Sequence, residues 1–275
     1  MRIALHAFVK SRNSSCSAAR EREYFMKAKP ARKRLDLLLV ARGLAESPQK
    51  AQAMILAGEV RVDGKRVDKA GLPVNGDCGL EITSRQQKFV SRGGFKLEGA
   101  LADFAVDPAG CACLDIGSSN GGFTDCLLQH GAACVYALDV NVEQLDWKLR
   151  QDTRIMRIER NARELNAGDI SEKVDIVVID VSFISVRKVV APALAVAKPG
   201  ATFLILIKPQ FELRRQEIGP RGIVQDLELH DRAIFIVSEF AASAGLDRVG
   251  VRPSRLVGAE GNQEYFLHAR KNSLG

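Results

Sequence analysis

The chain changes texture at about residue 111. Ahead of that point, RLDLLLVAR (34–42) repeats Leu35, Leu38 and Leu39 at helical spacing, and Gly43 follows where a left-handed residue closes a helix. Ser47 then Pro48 joins a hydrogen-bonding N-cap to a proline at the first helical position. A second helix is therefore predicted to bury Ala51, Met54 and Ile55 and to stop at Gly58. VRVDGKRV places two short β segments about Asp63-Gly64, a dipeptide that accepts the positive φ angles of a tight hairpin.

Beyond residue 111 the pattern becomes apolar runs alternating with helix-compatible segments. CACLDIG, CVYALDV, IMRIE, VDIVVID and ATFLILI read as strands of a parallel sheet buried on both faces. Residues 227–244 form an amphipathic helix, and RVGVRP and EYFLHAR add two β-like runs at the end. The predicted fold class is α/β: a Rossmann-like sheet, parallel with a final antiparallel strand, preceded by a small α+β domain. That last strand separates the methyltransferase variant of this architecture from the dinucleotide-binding one.

Composition adds one fact to this picture. The 275 residues are 46% hydrophobic and 27% charged, ordinary globular values, with a net charge of +7. Residues 1–34 hold ten Lys and Arg against two Glu, whereas residues beyond 98 are net acidic. The positive charge is confined to the front, where a nucleic-acid contact is expected. Arg34, Arg42, Lys50, Arg61, Lys65 and Arg66 are its candidate phosphate-binding residues, although interspersed acids also allow an ordinary solvated face. Six cysteines without a C-x-x-C pair and four scattered histidines give no reason to expect a metal site or a disulfide framework. No apolar stretch approaches the roughly 20 residues that span a bilayer, so a cytoplasmic protein is expected. Residues 1–25 are Arg- and Ser-rich, and MKAKPARKRL has the look of a natural start at Met26, the alternative being a disordered extension.

Two further features carry chemistry. Asp115-Ile116-Gly117-Ser118-Ser119-Asn120-Gly121-Gly122-Phe123 ends a strand and opens a helix. Its glycine spacing fits neither the dinucleotide fingerprint nor a phosphate loop. The next strand ends at Asp139-Val140, where an acid can accept hydrogen bonds from ribose hydroxyls. Together they favour S-adenosylmethionine, with Asp115, Gly117, Ser118, Gly121, Gly122, Phe123, Asp139, Val140 and Asp180 as candidate contacts. The second feature is a set of ionisable groups. Asp180 and Lys208 terminate the fourth and fifth strands, where ligands bind above an open parallel sheet, while Lys96 lies in SRGGFKLEGAL and Glu264 in GNQEYFLH. A carboxylate beside an amine suits proton abstraction from a hydroxyl, provided the lysine is neutral, which a nearby second ammonium favours.

The front module resembles the small RNA-binding domain first named for ribosomal protein S-four. DIGSSNGGFTD, ALDVN, VVIDVSFIS, IKPQFE and GNQEYFLH, behind that module and SRGGFKL, resemble the TlyA family, historically hemolysin A: FtsJ-like ribosomal RNA 2′-O-methyltransferases. The resemblance spans about residues 32–271 and implies a Lys-Asp-Lys-Glu tetrad at Lys96, Asp180, Lys208 and Glu264. Lys208 would be the central base, Asp180 and Glu264 orienting carboxylates and Lys96 an electrostatic partner; ribosomal RNA or ribosomal subunits, at a cytidine, would be the substrate. The expected organisation is a basic extension (1–31), an RNA-binding domain (32–85), a linker (86–95) and a methyltransferase domain (96–271). Relatives carry Arg-x-Trp-Val in the linker, whereas this chain has Gln86-Gln87-Lys88-Phe89-Val90. Gly219-Pro220-Arg221-Gly222 is expected as a mobile loop near the site, with Arg221 on RNA phosphate. A membrane-lytic protein, a catalytically lost RNA binder and a pseudouridine synthase explain the glycine loop and tetrad less well.

Overall fold

A computed structural model describes residues 32–83, 88–258 and 260–273. The expected extension at 1–31, with Met26, and Gln86 and Gln87 of the expected linker lie outside the described residues. The chain divides into two compact units between residues 85 and 86.

The first unit opens with β1 (Arg32–Arg34), α1 (Leu35–Ala41) and α2 (Pro48–Leu56). Then follow β2 (Val60–Val62), β3 (Lys65–Arg66), β4 (Pro73–Asn75) and β5 (Leu80–Ile82). Leu35, Leu38 and Leu39 are buried against Ala51, Ile55, Val60 and Val74, as the helical spacing requires, while Met54 is only partly covered. Ser47 Oγ accepts from the Lys50 backbone N–H at 3.2 Å, the capping bond predicted for α2. Asp63 and Gly64 adopt φ of 48° and 77°, and β2 pairs with β3 across them. The charged run at 32–34 pairs antiparallel with β4 instead of starting the helix, so Arg34 lies on a strand.

The second unit runs α3 (Arg92–Phe104), β6 (Ala112–Ile116), α4 (Gly122–Gln129), β7 (Cys134–Asp139), α5 (Trp147–Arg150) and β8 (Ile155–Glu159). It continues with β9 (Val174–Ile179), α6 (Arg187–Val196), β10 (Ala197–Ile207), α7 (Pro209–Glu212), α8 (Leu227–Ser243), β11 (Leu246–Pro253) and β12 (Tyr265–Lys271). The seven strands are ordered β11-β12-β10-β9-β6-β7-β8. β12 is antiparallel to both β10 and β11, and β6 to β10 are mutually parallel neighbours. Period-two alternation splits the core: Phe203, Ile205 and Ile207 face one layer with Val189 and Val237, while Leu204 and Leu206 face the other with Leu97 and Phe123. β10 begins four residues before ATFLILI, with a register shift between Ala197 and Thr202.

This topology positions the site. The chain after β8 crosses to β9 on the far side of β6, so the loops leaving β6 and β9 diverge and open a crevice at their C-terminal ends. Because β12 runs backwards, Tyr265 at its start pairs with Ile207 at the end of β10. Lys208 and Glu264 are thereby brought to the same edge.

The expected linker is shorter than the reading from sequence. Phe89 is 1% exposed, makes an edge contact with Phe95 at 5.1 Å between centroids, and belongs to the core of the second unit. The Val90 backbone N–H donates to Asp125 Oδ2 at 2.8 Å, and α3 has begun by Arg92. Residues 88–95 are therefore part of the second unit rather than a free connection.

Candidate active site

The glycine loop leaves β6 at Gly117, whose φ is +88° and whose Cβ, if present, would lie 2.3 Å from the Asp180 carbonyl oxygen. No other residue fits between two strand ends that approach this closely. The loop N–H groups of Gly117 and Ser118 donate to Leu138 O, and that of Ser119 donates to Asp139 Oδ2 at 2.9 Å. Asp139 Oδ1 accepts from the Asn141 N–H at 3.1 Å, so the carboxylate is held at the end of β7.

Two cavities share Gly117, Ser119 and Asp180 in their walls. One, of about 380 Å³, is lined by Leu138, Asp139, Val140, Asn161, Val181 and Ile184. The other, of about 190 Å³, is lined by Ser91, Arg92, Lys96, Ser118, Gly122 and Phe123. Of the expected cofactor contacts, Gly117, Ser118, Gly122, Phe123, Asp139, Val140 and Asp180 line this space. Asp115 and Gly121 do not. The alternation of β6 turns Asp115 into the interior, fully buried, where Oδ2 accepts from Thr124 Oγ1 at 2.6 Å and Oδ1 has no partner. Burial pushes its carboxyl up to about 7 against that hydrogen bond. Gly121, at φ +91°, is packed against Leu145 and Leu149.

The four ionisable groups form two ion pairs. Lys208 Nζ lies 2.5 Å from Asp180 Oδ1 and donates to Ser182 Oγ at 2.8 Å. Asp180 Oδ1 accepts no aligned hydrogen bond, so its contact with Lys208 is charge against charge. Lys96 Nζ, from α3, donates to Glu264 Oε2 at 2.5 Å, and their side chains are 11% and 3% exposed. Gly258 leaves room for this carboxylate: a Cβ there would sit 2.6 Å from Glu264 Oε1. Lys96 and Asp180 line one cavity, so the two pairs border the same space.

Sequence reasoning missed three residues that hold this arrangement. Ser182 lies two positions after Asp180 inside VVIDVSFIS. Glu212, within IKPQFE, is 5% exposed and accepts from Ser185 Oγ at 2.6 Å and from the Val186 N–H at 2.8 Å, tying the loop after β9 to the segment after Lys208. Burial raises its carboxyl even though Arg187 stands beside it. Asn262, 1% exposed, accepts from the Val224 N–H at 2.9 Å and donates to Gly222 O at 2.8 Å. The turn carrying Arg221, expected as a mobile loop, is thus tied at its base to the segment that leads into Glu264, and Arg221 itself is exposed at φ 62°.

In the first unit the expected RNA contacts fall into two kinds. Arg34 is bidentate with Asp36, at 3.1 and 2.7 Å. Arg42 donates to Cys78 O and Gly76 O, each at 2.7 Å, and Arg61 donates to Gly64 O at 2.9 Å. Arg66 lies over Gly58, where an added Cβ would collide with its guanidinium at 2.0 Å. The Lys50 and Lys65 side chains are exposed and have no partner among the described residues.

A model of FtsJ-like methyltransferases matches residues 89–271, and one of the S4 domain matches residues 33–77. The 16S/23S rRNA (cytidine-2′-O)-methyltransferase TlyA of Mycobacterium tuberculosis is 45% identical over 241 residues, covering 87% of this chain and 90% of that protein. YqxC of Bacillus subtilis, which bears an rRNA methyltransferase name, is 43% identical over 86% of this chain and 85% of its own length. A solved structure from Streptococcus thermophilus with a hemolysin name aligns at 37% identity and a TM-score of 0.66, covering 88% of this chain and 89% of that one. With a cofactor-sized crevice over a seven-stranded sheet and paired lysines and carboxylates at its rim, the chain belongs to the FtsJ-like methyltransferases, in the TlyA group that carries an S4 domain in front.

Proposed function

We propose that this enzyme transfers a methyl group from S-adenosylmethionine to the ribose 2′-hydroxyl of a cytidine in ribosomal RNA, in the cytoplasm. The observation that carries the reading is Lys208, 8% exposed, held against Asp180 and Ser182, both of which line the crevice. A ribose hydroxyl is a poor nucleophile at neutral pH, and a positioned amine can take its proton as the bond to carbon forms.

The crevice fits the cofactor on its own chemistry. Ser118 Oγ is buried without a partner beside the smaller cavity, Asp139 presents a carboxylate for ribose hydroxyls, and the glycine at 117 keeps the floor free of side chain. When bound, the cofactor supplies an electrophilic methyl group on a sulfonium centre. Lys208, as the neutral amine, takes the hydroxyl proton at Nζ, Asp180 steadies the ammonium that forms, and the Lys96–Glu264 pair keeps a fixed positive and negative charge beside the reacting groups. The S4 domain and the exposed lysines of the first unit would grip RNA phosphate in a salt-dependent way.

The test incubates the full chain with methyl-labelled cofactor and unmethylated ribosomal subunits. Label is expected on ribose, with Lys208→Ala lowering turnover by about 10²–10⁴-fold, the range for loss of a general base. Label on a base, or undiminished transfer by the variant, would overturn the mechanism.

A further inference from the structure

Transfer of a methyl group from a sulfonium to a hydroxyl releases one proton per turnover. If Lys208 receives it, as the proposed function holds, the enzyme must return Lys208 to its neutral amine before the next cycle. Lys208 is 8% exposed, so bulk water does not reach it freely.

The geometry around Nζ leaves one directed route. Its aligned hydrogen bond runs to Ser182 Oγ at 2.8 Å, whereas Asp180 Oδ1, at 2.5 Å, accepts no aligned hydrogen bond. Ser182 is exposed and lines the larger cavity, and its hydroxyl has no other partner among the described residues. A hydroxyl both accepts and donates, so it can take a proton on one side and yield one on the other. The remaining charges around this space are the Lys96–Glu264 pair, Arg92 and Arg160 at the cavity walls, Asp139 at the end of β7 and buried Asp115 below. None of them hydrogen-bonds to Lys208 among the described residues.

We propose that Ser182 is the positioning residue of Lys208 and the exit for its proton. In the step, an N–H bond of the ammonium breaks as an O–H bond forms at Ser182 Oγ. The original Oγ–H bond breaks at the same time, and its proton joins a water molecule. The products are the neutral Lys208 amine, an intact Ser182 hydroxyl and hydronium, and the hydroxyl then turns to leave the amine lone pair for the ribose. The same hydrogen bond fixes where Nζ points, which Asp180, as an unaligned charge, does not.

The experiment compares Ser182→Ala, Ser182→Thr and Lys208→Ala in the full chain, with labelled S-adenosylmethionine and unmethylated ribosomal subunits. Ser182→Ala is expected to lower kcat by about 10–100-fold, with KM for cofactor and RNA within about threefold, and to move the rising limb of the pH–rate profile to lower pH, because the ammonium loses the hydroxyl that accepts from it. Ser182→Thr keeps the hydroxyl and should recover most of the rate and the original profile. An unchanged kcat and profile in Ser182→Ala, a loss confined to KM, or a lost rate that threonine does not restore would overturn the proposal. Lys208→Ala separates the two readings: if it remains active, the base assignment fails first; if it is inactive while Ser182→Ala behaves as wild type, only the proton exit fails.

Discussion

Lys96 and Glu264, 168 positions apart in the chain, meet as a nearly buried ion pair with Nζ 2.5 Å from Oε2. Removing one member leaves the other, nearly buried charge without compensation, at a cost of about 3–5 kcal/mol. Lys96→Ala and Glu264→Ala should each shift the denaturation midpoint of the protein and lose activity. The double variant Lys96→Met/Glu264→Leu should regain most of the stability, because apolar groups of similar size replace a desolvated pair, and stay inactive. Chemical denaturation alongside methyl transfer measures both, and an active double variant would make the pair purely structural.

Asp115 gives the catalytic unit a pH-dependent weakness. Its folded-state value of about 7 stands above the ordinary 3.8, so the folded protein holds this proton more tightly than the unfolded chain. The contribution to stability is complete below about pH 4 and is lost as pH rises toward about 7, amounting to an order of 2–4 kcal/mol. Asp115→Asn keeps an acceptor for the Thr124 hydroxyl and removes the titration. Denaturation midpoints measured from pH 5 to pH 8 should fall in the wild type and flatten in the variant; parallel curves would mean that Asp115 is not the group responsible.

Asp115 also shows where sequence reasoning stops. Strands β6 to β10 were legible because sheets buried on both faces demand near-continuous apolar runs, and Asp139, Asp180 and Lys208 stood out as polar residues ending such runs. Asp115 ends a similar run, yet the alternation of β6 turns it inward, and spacing alone does not distinguish a cofactor contact from a buried support. The partnership of Lys96 with Glu264 depends on β12 running backwards beside β10, a tertiary fact with no local signal beyond the resemblance. That Arg42 already has acceptors, the Gly76 and Cys78 carbonyls, could not be read from the chain because they come from a distant turn. Ser182 lay inside VVIDVSFIS, but nothing local marked its hydroxyl as the partner of Lys208, which is brought to it from the end of the neighbouring strand.

Phe183 is 88% exposed, sits at φ 66° and lies 5.5 Å from the Phe211 ring centroid, at the lip of the larger cavity. A left-handed conformation costs a non-glycine residue about 1–2 kcal/mol, and water does not reward an uncovered aromatic ring. Both costs are explained if the ring stacks on a nucleobase of the substrate, a contact worth about 1–3 kcal/mol. Phe183→Gly should therefore hold or raise the melting temperature while raising KM for ribosomal RNA by about tenfold. An unaltered KM would remove Phe183 from substrate binding.

The exposed cations of the first unit should divide by what they already bind. Lys50 and Lys65, without partners among the described residues, are available to phosphate. Lys50→Ala and Lys65→Ala should each weaken RNA binding and reduce the slope of log affinity against log salt by about 0.7–0.9, the signature of one lost phosphate contact. Arg42 instead spends its guanidinium on the carbonyls of Gly76 and Cys78, so Arg42→Ala should destabilise the first unit by about 1 kcal/mol. RNA affinity would then fall only as far as folding does, with little change in the salt slope. Titrations at several salt concentrations, paired with thermal denaturation, separate the two classes; a full unit of slope lost with Arg42 would place its guanidinium on phosphate after all.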